Sequence, residues 1–130
     1  MRSVVMAVVL GFLAVPAQAQ QQFTTIGTTV EGTTIQVGPR SASPNGPTFV
    51  AMDSVEIYAA PRMLPDGRAY AAMLYHNDFD CSTRRFRVPS LIYFADAELH
   101  REILWDPVHT DWQRPDAGSV GERLVREVCG

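Results

Sequence analysis

Cys81 and Cys129 are the only two cysteines in a chain of 130 residues, and their fate limits every fold open to it. That fate depends on the compartment. Met1-Arg2-Ser3 is a short positive start, and an apolar run from Val4 to Val15 follows, broken by Pro16. Ala17-Gln18-Ala19 then offers a small-x-small cleavage site. This three-part build is that of a secretory signal peptide, residues 1–19. An apolar run of about twelve residues is too short for a permanent span, and no later segment reaches the length that a spanning helix needs. Position 20 is Gln rather than Cys, so no lipid anchor is expected. The expected location is therefore the periplasm or the medium. In such a compartment an even cysteine count reads as a disulfide. Closing a loop of about 48 residues stabilises a domain by roughly 4 kcal/mol on the chain-entropy account. A zinc site would need two further ligands at workable spacing, and no Cys-x-x-Cys pair is present for redox work.

Without its leader the chain has about 110 residues, enough for one small core and not for two. Eleven basic residues stand against fourteen acidic ones, for a net charge of −3. That balance argues against nucleic-acid binding, which rests on neutralising phosphates. Every basic residue is Arg, and the absence of Lys excludes a Schiff-base or P-loop lysine mechanism.

The texture changes along the chain. Residues 20–48 are rich in Thr, Gly, Gln, Ser and Pro, and they read as a flexible lead-in with at most one edge strand, seeded by Ile35 and Val37. From Phe49 short apolar or alternating runs begin: Phe49 to Met52, then Val55 and Ile57 after a break at Asp53-Ser54. Pro65-Asp66-Gly67 signals a hairpin turn. Ala69 to His76 is apolar on both faces, as a central strand would be. Phe79 to Val88, Leu91 to Ala95 and Ile103 to Trp105 follow, with Pro89 and Pro107 expected to end two of them. Ser119 and Glu122 have capping-box spacing ahead of Val120, Leu124, Val125 and Val128, which form one apolar stripe. A helix this short is marginal alone, so tying its end to a strand through Cys81 and Cys129 would pin it. The expected fold is α+β: an antiparallel sheet with a C-terminal helix joined to it by that disulfide.

Several of these residues form a familiar set. Phe49-Val50-Ala51-Met52-Asp53-Ser54-Val55, Phe79-Asp80-Cys81 with Arg84-Arg85-Phe86-Arg87, then Trp112, Pro115, Ser119, Leu124 and Val128-Cys129, together resemble the bacterial surface-adhesin protein E family over residues 49–130. The resemblance implies an antiparallel sheet, a C-terminal helix and the Cys81–Cys129 pair. It also implies a surface-binding role, best known in that family as contact with host matrix proteins, and it assigns Trp112 to packing.

Candidate chemistry is sparse. His76, Asp78 and Asp80 would share one face of a strand, which suits a divalent metal; this supports an alternative reading as a small periplasmic enzyme or metal-binding protein. No nucleophile elbow is present, and no catalytic residue, metal or cofactor is assigned. Arg84, Arg85 and Arg87 are the one basic cluster. Alternation sends Arg85 and Arg87 to solvent and Phe86 and Val88 to the core, with a bulge near Ser82-Thr83 to bring Phe79 and Cys81 inside. With Trp105, these arginines are the candidate binding residues. The expected function is that of an exported, non-catalytic envelope protein acting by surface contact with an extracellular or envelope protein. An exposed sheet edge would also let two copies pair.

Overall fold

The computed structural model describes residues 22–130, so the leader expected at residues 1–19 lies outside the described residues. Six strands precede one helix: β1 (Thr24–Thr28), β2 (Thr34–Ala42), β3 (Val50–Met63), β4 (Ala69–Asp80), β5 (Arg85–Phe94), β6 (Glu102–Asp106) and α1 (Val120–Cys129). Each strand pairs antiparallel with the next in sequence, giving one sheet in the order β1-β2-β3-β4-β5-β6. The α+β architecture read from the sequence is the one observed.

The β3–β4 hairpin turns at Pro65-Asp66-Gly67. Gly67 adopts φ +90°, a conformation that glycine alone enters without strain, and the Leu64 N–H donates to the Arg68 carbonyl at 2.8 Å. β4 is the inner strand expected from its two-sided apolarity. Its buried residues fall on both faces: Met73 and Phe79 on one, Ala72 and Leu74 on the other.

The helix lies across one end of one sheet face. Leu124 and Val125 pack there with Ile35, Val37, Met52 and Phe79. The approach is close: a Cβ on Gly121 would come within 2.9 Å of the Phe86 ring. The Ser119 hydroxyl caps the helix by accepting from the Glu122 N–H at 3.1 Å. Glu122 does not close the other half of the capping box; its carboxylate pairs with Arg126 at 2.7 Å instead. The Cys81–Cys129 disulfide joins the β4–β5 turn to the last helical residue, across a sequence separation of 48.

Four local expectations need correction. The stretch 20–48, read as a loose lead-in with at most one edge strand, supplies both β1 and β2. Their threonines suit extended backbone, and Ile35 and Val37 are buried beneath α1. Asp53-Ser54 does not break β3, because both side chains find partners across the sheet: Asn77 donates to the Ser54 hydroxyl at 2.9 Å, and Asp53 meets His76. Phe79 to Val88 is two strands, with the Cys81–Arg84 turn between them, so Phe79 sits directly opposite Phe86 without any bulge there. Finally, Pro89 lies inside β5. The register steps from Asp78↔Arg87 to His76↔Ser90, which leaves an extra residue on β5, and a bulge is where a strand tolerates a residue lacking an N–H.

Replacing both cysteines by Ala should lower the unfolding free energy by about 4 kcal/mol, read by urea titration. A loss below about 1 kcal/mol would mean that packing alone holds the helix in place.

Candidate functional site

The three residues proposed as metal ligands do share a face of β4, as alternation requires. Each is committed to a different partner. His76 Nδ1 lies 2.7 Å from Asp53 Oδ1. Asp80 accepts from the Ser82 hydroxyl at 2.6 Å and from its N–H at 3.1 Å, bonds that hold the Asp80 carboxyl below its usual range. Asp78 is 2% exposed and accepts from Ser43 at 2.7 Å, from Asn45 at 2.9 Å and from Arg87 Nε at 3.2 Å. Among the described residues, no group of three or more His, Cys, Asp or Glu side chains is placed to hold a metal ion.

Arg87 is the main correction to the expected binding face. It is half-buried rather than solvent-facing, with 26% of its side chain exposed. It pairs with Asp78 across the β4–β5 register, and its guanidinium lies 4.4 Å from the Trp112 ring centroid and 5.5 Å from that of Phe49. The Phe49 and Trp112 rings themselves meet at a tilt of 59°, their centroids 4.7 Å apart. The segment bearing Trp112 is held along β5, where Phe86 and Gln113 exchange backbone hydrogen bonds of 3.0 and 2.8 Å. Trp112 therefore has the packing role that the family resemblance implied, and Arg87 is part of the same layer.

Arg84 and Arg85 are both exposed. Arg84 closes the turn in the left-handed region, φ +54°, and gives an N–H to the Gly130 carbonyl at 2.9 Å. The Arg85 side chain has neither a hydrogen bond nor an ion pair among the described residues. Trp105 is 53% exposed on the edge strand β6, with Leu104 beside it. The structure does not bring Trp105 to the arginines: it pairs with Ile92, whereas Arg85 pairs with Asp80 at the other end of β5.

Two groupings escaped the sequence reading. The chain's four tyrosines, Tyr58, Tyr70, Tyr75 and Tyr93, gather with Met73 and Leu91 on the part of the sheet that α1 leaves uncovered. Tyr58–Tyr70 and Tyr70–Tyr93 meet edge to face at 5.8 and 5.0 Å. The Tyr58 and Tyr75 hydroxyls donate to Glu56, and Arg62 lies over the Tyr58 ring at 3.8 Å. Burial, with Glu56 beside both, pushes both phenols above their ordinary range. The alternation of Tyr58, Tyr75 and Tyr93 with apolar residues was the available signal, but it marks a face and not which faces meet. The second grouping is the Asp53–His76 pair. Its hydrogen bond raises the His76 pKa above 6.5, against the opposing effect of burial. No spacing rule predicts a pair made between neighbouring strands.

A family model described as surface-adhesin protein E matches residues 23–130, so the match takes in β1 and β2 as well as the part of the chain from residue 49. No curated protein and no solved structure matches.

Removing Arg87 leaves the Asp78 carboxylate, 3% exposed, without its cation, and removing Asp78 strips the acceptor from Ser43, Asn45 and Arg87 together. Asp78→Ala should therefore cost about 3 kcal/mol or more in urea unfolding, and the Asp78→Ala/Arg87→Ala double variant less than the sum of the singles. Additive losses would show the two side chains to be independent. The His76–Asp53 pair gives a pH signature. A histidine raised in the folded state stabilises below its unfolded pKa of about 6.5 and loses that contribution as pH rises through the folded value. The fall in thermal midpoint caused by His76→Gln should thus be larger at about pH 5.5 than at about pH 8.5. An equal fall at both would remove the charged pair from the account.

Proposed function

The chain belongs to the surface-adhesin protein E family, and from that premise we propose that it is an exported, non-catalytic envelope protein that acts by binding an extracellular or envelope protein through its surface. The family match over residues 23–130 carries the reading. The structure adds a physical setting. Loops and edges are presented by a sheet that a disulfide and a buried ion pair make rigid, so an exposed side chain there loses little freedom on binding. Arg84, Arg85 and Trp105 are of the residue types that dominate binding energy at protein interfaces. Arg87 leaves this set because it is used inside the fold. The outer edge of β6, with Leu104 and Trp105, is also the place at which a second copy would add to the sheet. The leader at residues 1–19 and the disulfide both fit a site of action beyond the inner membrane, and no helix among the described residues is long and apolar enough to cross a membrane.

Displaying the chain on a non-adherent bacterium should raise attachment to plates coated with extracellular-matrix protein, and the gain should persist in EDTA. Trp105→Ala or Arg85→Ala should reduce the gain several-fold while leaving the thermal midpoint in place. Attachment no greater than that of cells lacking the chain, on matrix and envelope proteins alike, would overturn the proposal. Complete loss in EDTA would favour the metal-dependent reading instead.

A further inference from the structure

The basic residues divide by what they touch. Arg87 faces Asp78, Arg68 faces Asp66, and Arg126 faces Glu122. Arg40 donates to the Glu127 carbonyl, and Arg123 to that of Ile26. The side chains of Arg85, Arg101 and Arg114 have no hydrogen bond or ion pair among the described residues, and of these three only Arg114 stands at a built feature. It lines a groove of about 480 Å³ between the β4–β5 turn and α1, with Arg84 and Arg126 as the other two cations. Glu122 is the only carboxylate on the wall, and Arg126 already neutralises it at 2.7 Å. Pro115 and Val125 supply an apolar floor. The walls are fixed, because the disulfide joins the turn to the end of the helix and Arg84 is held by the Gly130 carbonyl. On a chain of net charge −3, this is a local reversal of sign.

We propose that the groove lined by Arg84, Arg114 and Arg126 binds an acidic segment of a protein partner, its Asp or Glu carboxylates taken by Arg84 and Arg114. That the segment belongs to a protein partner rests on the binding role proposed above. The chemistry selects spaced carboxylates. A guanidinium fork matches a carboxylate in two parallel hydrogen bonds. With Arg126 paired to Glu122, the two guanidiniums left for a ligand are those of Arg84 and Arg114, which suits single carboxylates set apart along a chain better than one dense dianion. The apolar floor suits the methylene stems of such side chains. An acidic segment would also be steered here by the local positive field, in a salt-dependent way.

The probe is fluorescein-labelled hexaglutamate, with hexaglutamine as the uncharged match, read by fluorescence anisotropy on the whole disulfide-bonded chain. Hexaglutamate should bind and hexaglutamine should not, with affinity falling as salt rises from about 20 to about 300 mM. Arg114→Ala should weaken binding about tenfold, the loss of one charged hydrogen-bonded contact. The fold should survive this change, since Arg114 holds no other residue in place; circular dichroism checks it. Arg101→Ala, at an exposed arginine of the β5–β6 connection, should leave binding unchanged. Equal losses in the Arg114 and Arg101 variants, or no binding at low salt, would overturn the proposal. Displacement of hexaglutamate by inorganic phosphate at lower concentration than by free glutamate would overturn the choice of carboxylate. The two proposals fail separately. Peptide binding without attachment of displayed cells leaves the groove and removes the adhesive role, and attachment that survives Arg114→Ala without peptide binding does the reverse.

Discussion

A helix of ten residues has too few internal hydrogen bonds to hold its shape in water, so α1 exists because it is tied down at both ends and along its length. Ser119 holds the first turn, and the disulfide to Cys81 holds the last. Between them the arginines of both layers stitch helix to sheet: Arg40 of β2 reaches the Glu127 carbonyl, and Arg123 of α1 reaches the Ile26 carbonyl of β1. The order of cause matters. β1 and β2 have little apolar surface of their own, and what they bury is mostly Ile35 and Val37, against the helix. The disulfide that fixes the helix therefore also helps to keep the apolar side of β2 covered. This is how a domain with a modest apolar supply gains a core.

The rest of the sheet solves the same problem without a helix. Along β3, Met52 lies under α1 while Tyr58 lies beyond it, and the polar pair of Ser54 and Asn77 separates the two regions. Tyrosine suits the uncovered part because its ring buries apolar area while its hydroxyl keeps a partner. Tyr58 and Tyr75 share Glu56 as acceptor, so this carboxylate on a sheet face is satisfied by hydroxyls, with no ion pair to it among the described residues. The opposite face is closed by a second apolar cluster, Val55, Ala72, Leu74 and Phe94, and at one end by the Asp78–Arg87–Trp112 layer.

What was legible in the sequence followed from local rules. The α1 stripe, its Ser119 cap, the Pro65-Asp66-Gly67 hairpin and the inner position of β4 each depend on residues close in the chain, and each is observed. The cysteine pair was legible because only two cysteines exist. The failures share a cause: they concern polar residues whose value is set by another strand. Asp53 and Ser54 look like a break until His76 and Asn77 are placed opposite them. The Thr-rich lead-in looks unstructured until β3 offers an edge and α1 a cover. Pro89 looks like a stop until the register gives β5 one residue more than β4. Arg87 obeyed its alternation and shares a face with the Asp80-paired Arg85, but the assumption that this face was solvent failed. The loop carrying Ser43 and Asn45 and the segment carrying Trp112 cover it.

That same cover explains why three arginines within four positions have unlike roles. The β4–β5 hairpin is narrow, and the covering layer reaches Arg87 without extending over Arg84 and Arg85, which remain exposed. Once Arg87 is enclosed with Asp78, its charge is spent inside the protein, and it cannot serve a partner without exposing a buried carboxylate. Arg84 and Arg85 carry no such cost. An arginine-only protein has a particular advantage in this division. A guanidinium can stack on Trp112 and still bond Asp78 through one edge, as Arg87 does, while the same group at Arg84 can bond a backbone carbonyl and keep donors free. A lysine offers one point charge and no face to stack, so the packed layer and the open turn could not be built from it with the same economy of residues.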